Sequence, residues 1–239
     1  MDIQCIYVGY PGQTLPETIK ILPKTLKNQE PKIIILESNN FYDALNIVSP
    51  VAKVVNVTLP VIEFHNRWKN LNKEDFFSKV EYTNTNVEKG YHYIDAVIPA
   101  DDSNYMIYSD DIAPIPKANQ IYIELIKKYC DSKGIKFMIV SVPSCINWNY
   151  AKHNAVKQFA EKENIDFLDL NELKDEIKID WQTETGDGGD HVNYKGALKA
   201  TKYLGQWLSK KNILENHKND EKYKKWNEDL EKIKEKYKI

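Results

Sequence analysis

Short, continuous runs of β-branched and apolar residues recur along this chain, separated by longer segments of helical periodicity, and no other feature constrains the fold as strongly. Ile33-Ile-Ile-Leu36 is the clearest run. It is apolar at every position rather than at alternate ones, so it reads as a strand buried on both faces of a parallel sheet. Lys136 to Val142, Asp166 to Leu170 and, at the start of the chain, Ile3 to Val8 repeat the pattern. Between them, Thr14 to Leu26 has helical spacing, with Thr14 as N-cap, Pro16 in the first turn and Glu17 three residues past the cap. Asn119 to Cys130, stopped by Gly134, and about Asn149 to Lys162 are the next helices. Strands alternating with helices predict an α/β doubly wound sheet with helices on both faces.

At 239 residues and 42% apolar content, one sizeable core is affordable. Lys and Arg number 33 against 35 Asp and Glu, so no whole-chain field steers the protein to nucleic acid or anionic lipid. Cys5, Cys130 and Cys145 are odd in number and lack C-x-x-C spacing, which predicts free thiols. No stretch approaches the roughly 20 apolar residues of a membrane span, and the N-terminus lacks a signal-peptide pattern. No metal-ligand spacing, Walker loop or Gly-x-Gly-x-x-Gly is present, so no metal or cofactor is expected.

Residues 52–116 break the alternation with aromatic, polar and Pro-containing sequence. An irregular stretch this long predicts a functional insertion, here a cap over the sheet's carboxyl edge. Residues 1–209 are thus read as one α/β domain carrying that insertion, and 210–239 as a charged tail in which Trp226, Leu230 and Ile233 mark one helical stripe.

The segment richest in chemistry is Asp187-Gly-Gly-Asp-His-Val-Asn-Tyr-Lys-Gly196, which leads into an amphipathic helix through Trp207. Its glycines allow an open backbone that presents His191 at the sheet's carboxyl edge. An aspartate beside that histidine would fix its tautomer and stabilise the imidazolium formed when it takes a proton. The structural alternative is a capping loop, with Asp190 or Asn193 as N-cap and His191 merely packed.

Asp-Gly-Gly-Asp-His-Val-Asn followed by Gly-Ala-x-Lys-x-Thr resembles the final block of the SGNH (GDSL-like) hydrolases, in particular their bacterial cell-envelope branch. Tyr7-Val-Gly-Tyr-Pro-Gly-Gln13 is similar to that family's second block and Leu36-Glu-Ser-Asn39 to its third, where the family has Gly-x-Asn-Asp; His65-Asn-Arg-Trp68 and Val142-Pro-Ser144 agree. The resemblance runs in order from about Ile3 to Trp207. It implies a three-layer αβα sandwich with a mainly parallel, flavodoxin-like sheet and an acyl ester hydrolase or O-acyltransferase acting on a cell-envelope carbohydrate. His191 would be the general base, the Gly12 N–H and the Asn39 side chain the oxyanion donors, and His65, Arg67, Gln13 and Asn193 substrate contacts. The family's acid lies three residues before the histidine, where this chain has Gly188. Asp187 and Asp190 both remain candidates, Asp187 ahead because a directly adjacent side chain tends to point away.

The family's Gly-Asp-Ser block and the central strand preceding it are missing, so the expectation is a chain that begins after them, with its serine elsewhere. Ser38, Ser144 and Cys145 are the substitutes to weigh, although turn and N-cap use of serine is commoner. The resemblance further implies an acylated saccharide or cell-wall polymer as ligand, a membrane-bound acyltransferase as partner and an extracytoplasmic, membrane-associated setting; the chain as written carries no address beyond the cytoplasm. The rival readings are a catalytically inactive glycan-binding or scaffold module and a flavodoxin-like nucleotide binder, for which Gly9-Tyr-Pro-Gly12 is a poor phosphate cradle. His92, His153 and His217 are expected at the surface, and Tyr91, Tyr93 and Trp148 either stack on sugar or pack.

Overall fold

Ile33–Glu37 (β1), Lys136–Ser141 (β2) and Asp166–Asp169 (β3) form a parallel sheet in that spatial order. Ile35 pairs with Met138 and Val140 with Leu168. The computed structural model describes residues 5–10, 12–43 and 87–238, which belong to one compact unit. Six α-helices accompany the sheet among these residues: α1 (Leu15–Thr25), α2 (Lys117–Ser132), α3 (Tyr150–Lys162), the short α4 (Lys174–Ile177), α5 (Tyr194–Lys210) and α6 (Lys224–Tyr237).

Successive residues of a strand point to opposite faces, and β2 uses both. Phe137 and Ile139 pack with Ile123 and Ile126 of α2 and with Val156 and Phe159 of α3, whereas Val140 packs with Leu168, Leu170 and Ala200 of α5. The sheet therefore separates two apolar cores, which is why β2 is apolar from Phe137 to Val140. The starts of α1 and α3 follow from local chemistry. The Glu17 carboxylate accepts the Thr14 N–H at 2.8 Å and the Thr14 hydroxyl at 2.6 Å, closing a capping box on α1. Asn149 caps α3 by accepting the Lys152 N–H at 3.0 Å.

Two regions depart from the sequence expectation. The described part of the first run, Cys5 to Val8, is not a strand: Ile6, Tyr7 and Val8 are 41%, 65% and 43% exposed, and the Tyr7 N–H bonds to Lys89 O at 2.9 Å outside any sheet. A strand is stable only in a ladder, and β-propensity alone does not supply one. Of the insertion 52–116, residues 52–86 lie outside the described residues. Residues 87–116 carry no helix or strand, yet Ala100, Tyr105, Met106 and Ile115 are buried in the main core, so this stretch is part of the domain's packed wall.

Candidate active site

β1 and β2 both open their carboxyl ends toward the candidate chemistry. The chain leaving β2 turns through Ser144 and Cys145, and the Cys145 N–H donates to Gly189 O at 2.9 Å. Loop 184–193 is thereby pinned to the sheet's carboxyl edge, the usual ligand side of an open α/β sheet. Gly188 and Gly189 adopt φ of +77° and +99°, a backbone only glycine takes without strain. Thr185, fully buried, ties the loop to itself: its hydroxyl donates to His191 O at 2.8 Å and accepts the Gly189 N–H at 2.9 Å.

On this loop His191 Nδ1 lies 2.6 Å from Asp187 Oδ2, and the His191 backbone N–H donates to Asp187 Oδ1 at 2.8 Å. Both carboxylate oxygens thus hold His191, and Oδ1 also accepts from the Thr185 hydroxyl at 3.5 Å. Asp190 stands 3.7 Å from the same ring nitrogen and accepts instead from the Asn147 amide. Burial acts to raise the Asp187 carboxyl, but the His191 backbone N–H and imidazole outweigh it and hold it below the usual carboxylate range. With Nδ1 claimed, the 67% exposed His191 side chain offers Nε2 outward. Asp187, Asp190 and His191 are also the described residues whose ligand atoms group within 4.8 Å, as a metal site would require; their mutual bonds already account for that spacing.

The remaining candidates are placed unevenly. Asn39 opens a short 3₁₀ turn directly after β1, its backbone N–H held by Glu37 Oε2 at 2.8 Å, so it leaves the same sheet edge as the Ser144–Cys145 turn. Gly12 is exposed in the turn before α1 at φ +72°, and nothing lies within 4 Å of where a side chain would project. The Gln13 amide donates to Thr18 Oγ1 at 2.8 Å. No hydrogen bond among the described residues joins Gly12, Gln13 or Asn39 to the His191 loop. His65 and Arg67 lie outside the described residues. Asn193, named both as a substrate contact and as a cap, caps α5: at 1% exposure its amide donates to Ala96 O and Thr183 O and accepts the Lys195 N–H.

None of the substitute nucleophiles meets His191. The Ser144 hydroxyl, 2% exposed, takes Gly189 O and the Asn147 N–H as partners. Ser38 is wholly buried. Cys145 is a free thiol pushed up to about 11 by burial and by the nearby Asp102 carboxylate, so at neutral pH it is not a thiolate.

Sequence reasoning missed three residues. Asn171, fully buried, accepts the Ser144 N–H and the Tyr105 hydroxyl, each at 2.9 Å, and donates to Ser141 Oγ, Val142 O and Asp169 Oδ1, so it holds the turn that holds the loop. His153 is not at the surface: 3% exposed, it pairs with Asp169 at 2.7 Å, and Trp148 Nε1 donates to the same oxygen at 2.9 Å. Glu37 ends β1 with Oε1 buried and unpartnered among the described residues, and burial pushes its carboxyl up to about 7. An acid closing an otherwise apolar strand was the available signal for Glu37; nothing local distinguished Asn171. Comparison with family models, with curated proteins and with solved structures gives no match.

Proposed function

We propose that His191 and Asp187 are the base and orienting acid of an SGNH-like acyl ester hydrolase or O-acyltransferase whose serine nucleophile lies outside the described residues. The Asp187–His191 geometry carries this reading: Asp187 fixes the imidazole by ring and backbone together, leaving Nε2 outward to take a proton. In the first step Nε2 accepts the hydroxyl proton as the serine oxygen bonds to the acyl carbon. The imidazolium, stabilised by Asp187, then returns that proton to the departing alcohol oxygen. Water or a sugar hydroxyl takes the acyl group in the second half, with His191 again as base. Gly12 N–H and the Asn39 amide are the proposed oxyanion donors, each worth about 3 kcal/mol when aligned. A cell-envelope carbohydrate as substrate, a membrane-bound acyltransferase as partner and an extracytoplasmic setting rest on the motif resemblance alone.

The test is fluorophosphonate labelling and p-nitrophenyl acetate turnover of the protein purified from its source cells. The reading requires a labelled serine peptide and loss of both signals in His191→Ala. A specific observation favours a second reading, a glycan-binding module without turnover: among the described candidates the Ser144 hydroxyl is engaged, Ser38 is wholly buried and the Cys145 thiol is pushed up to about 11. No label, together with saccharide binding that survives His191→Ala, would establish it in place of the first.

A further inference from the structure

The C-terminal helix is a poor apolar partner for the domain. Leu230 is 47% exposed, and the buried residue of α6 is a carboxylate, Asp229, at 2% exposure. What holds α6 is a set of polar and stacking contacts to residues 88–93. Asp229 bonds the Lys89 ammonium, with Lys225 at 3.0 Å on its other oxygen. Glu88 accepts from Lys236 at 2.6 Å and from the Tyr237 hydroxyl at 2.9 Å. The Tyr237 ring lies on Tyr93 with centroids 3.8 Å apart and planes 11° from parallel, and Tyr93 stacks on its other side against Tyr194 at 5.1 Å.

Tyr194 is the first residue of α5, three positions past His191, and Tyr93 begins the backbone run that carries the His191 loop. Ile94 O accepts the Tyr194 N–H at 2.8 Å, Ala96 O accepts the Asn193 amide at 3.1 Å, and Ile98 O accepts the Gly188 N–H at 3.1 Å. The Ile98 N–H returns a bond to Thr185 O at 3.1 Å. A continuous physical path therefore runs from Tyr237 through Tyr93 to both ends of the loop that presents His191.

We propose that Tyr93 is a positioning residue for the His191 loop, held in place by Tyr237 and by the Lys89–Asp229 pair of the C-terminal helix. Helix α6 acts as a strap. Because, among the described residues, ion pairs and ring contacts fasten it more than a buried apolar face does, it opens more readily than the sheet and α2. The importance of the strap for turnover rests on the reading of His191 as base, but the geometry is testable without turnover.

The experiment is hydrogen exchange and NMR on the whole chain as wild type, Tyr93→Ala, Tyr93→Phe and Tyr237→Ala. Tyr93→Ala raises exchange at Gly188, Gly189, His191, Asn193 and Tyr194 by about tenfold with α2 and β2 unchanged, and Tyr93→Phe restores wild-type rates. The His191 Nδ1–H signal, a marker of the bond to Asp187, broadens in the alanine variant and sharpens in the phenylalanine one. Tyr237→Ala reproduces the loop effect and carries the test if Tyr93→Ala does not fold. Exchange that rises only in α6 and residues 88–93, or rises equally throughout the sheet, overturns the proposal. An inactive native protein with the loop effect intact would refute the esterase reading and leave the strap standing.

Discussion

Cys145 Sγ occupies the space that a side chain at Gly189 would need: a Cβ built there would fall 2.3 Å from the sulfur and 2.8 Å from the Ala100 methyl. With φ at +99°, Gly189 is thus held to glycine by backbone and by packing. Gly189→Ala is expected to cost about 1–3 kcal/mol in urea unfolding. Cys145→Ala in the same chain relieves the collision with the sulfur but not the strained φ, so it should recover only part of the loss. Full recovery would mean the conformation itself is unstrained.

The two aspartates beside His191 should behave differently. Asp187→Asn removes the acceptor of the ring and lowers the proposed esterase rate of the native protein by roughly 10²- to 10⁴-fold, while Asp190→Asn costs less than about tenfold. Since the Asp187 carboxyl is held below its ordinary value, its contribution to stability is complete above about pH 3.9 and disappears as pH falls through the lower, folded value. Equal rate losses for the two variants would count against Asp187 as the orienting acid.

Glu37 carries the opposite sign. Its carboxyl is raised to about 7, so its neutral form suits the fold: stability is full below about pH 4.3, declines as pH rises to about 7, and changes no further above that. The span corresponds to about 4 kcal/mol. Glu37→Gln keeps an acceptor for the Asn39 N–H and should flatten this slope in urea midpoints taken from about pH 4 to 8. An unchanged slope in the glutamine variant would place the titration on another group.

Asn171→Ala strips partners from the Ser144 N–H, the Tyr105 hydroxyl and the Val142 carbonyl at once, all beneath the His191 loop. Burying unmet polar groups of this kind costs about 3 kcal/mol or more. Urea unfolding measures the loss. A loss under about 1 kcal/mol would mean that water replaces the amide readily.

How much of this was legible beforehand depended on the range of the interaction involved. Ile33 to Leu36 revealed β1 because apolar packing on both faces leaves a continuous apolar run, although only Leu36 is fully buried, and Thr14 with Glu17 marked the start of α1 because a capping box is local. Ile3 to Val8 carried the same local signal, yet its described part, Cys5 to Val8, has no ladder partner and is not a strand. At the site, the bond from Asp187 to His191 spans four residues and lay within reach of spacing arguments. The buried His153–Asp169 pair and the Asn171 hub depend on residues brought together across α3, β3 and the turn after β2, which no window of sequence contains. Asn193 shows the converse: a residue placed by motif at the substrate turns out to be spent on a helix cap.

Ile94, Ala96 and Ile98 support the His191 loop through their carbonyls, a feature every amino acid shares. The support is therefore encoded in the path of the backbone and leaves little trace in residue identity. Val97 and Ile98, 48% and 53% exposed, face outward and can drift, whereas Ile94 packs against Gly186. Homologous chains could thus retune the surface beside His191 at these positions while the loop keeps its shape, so divergence in this stretch would record a change of ligand before any loss of architecture.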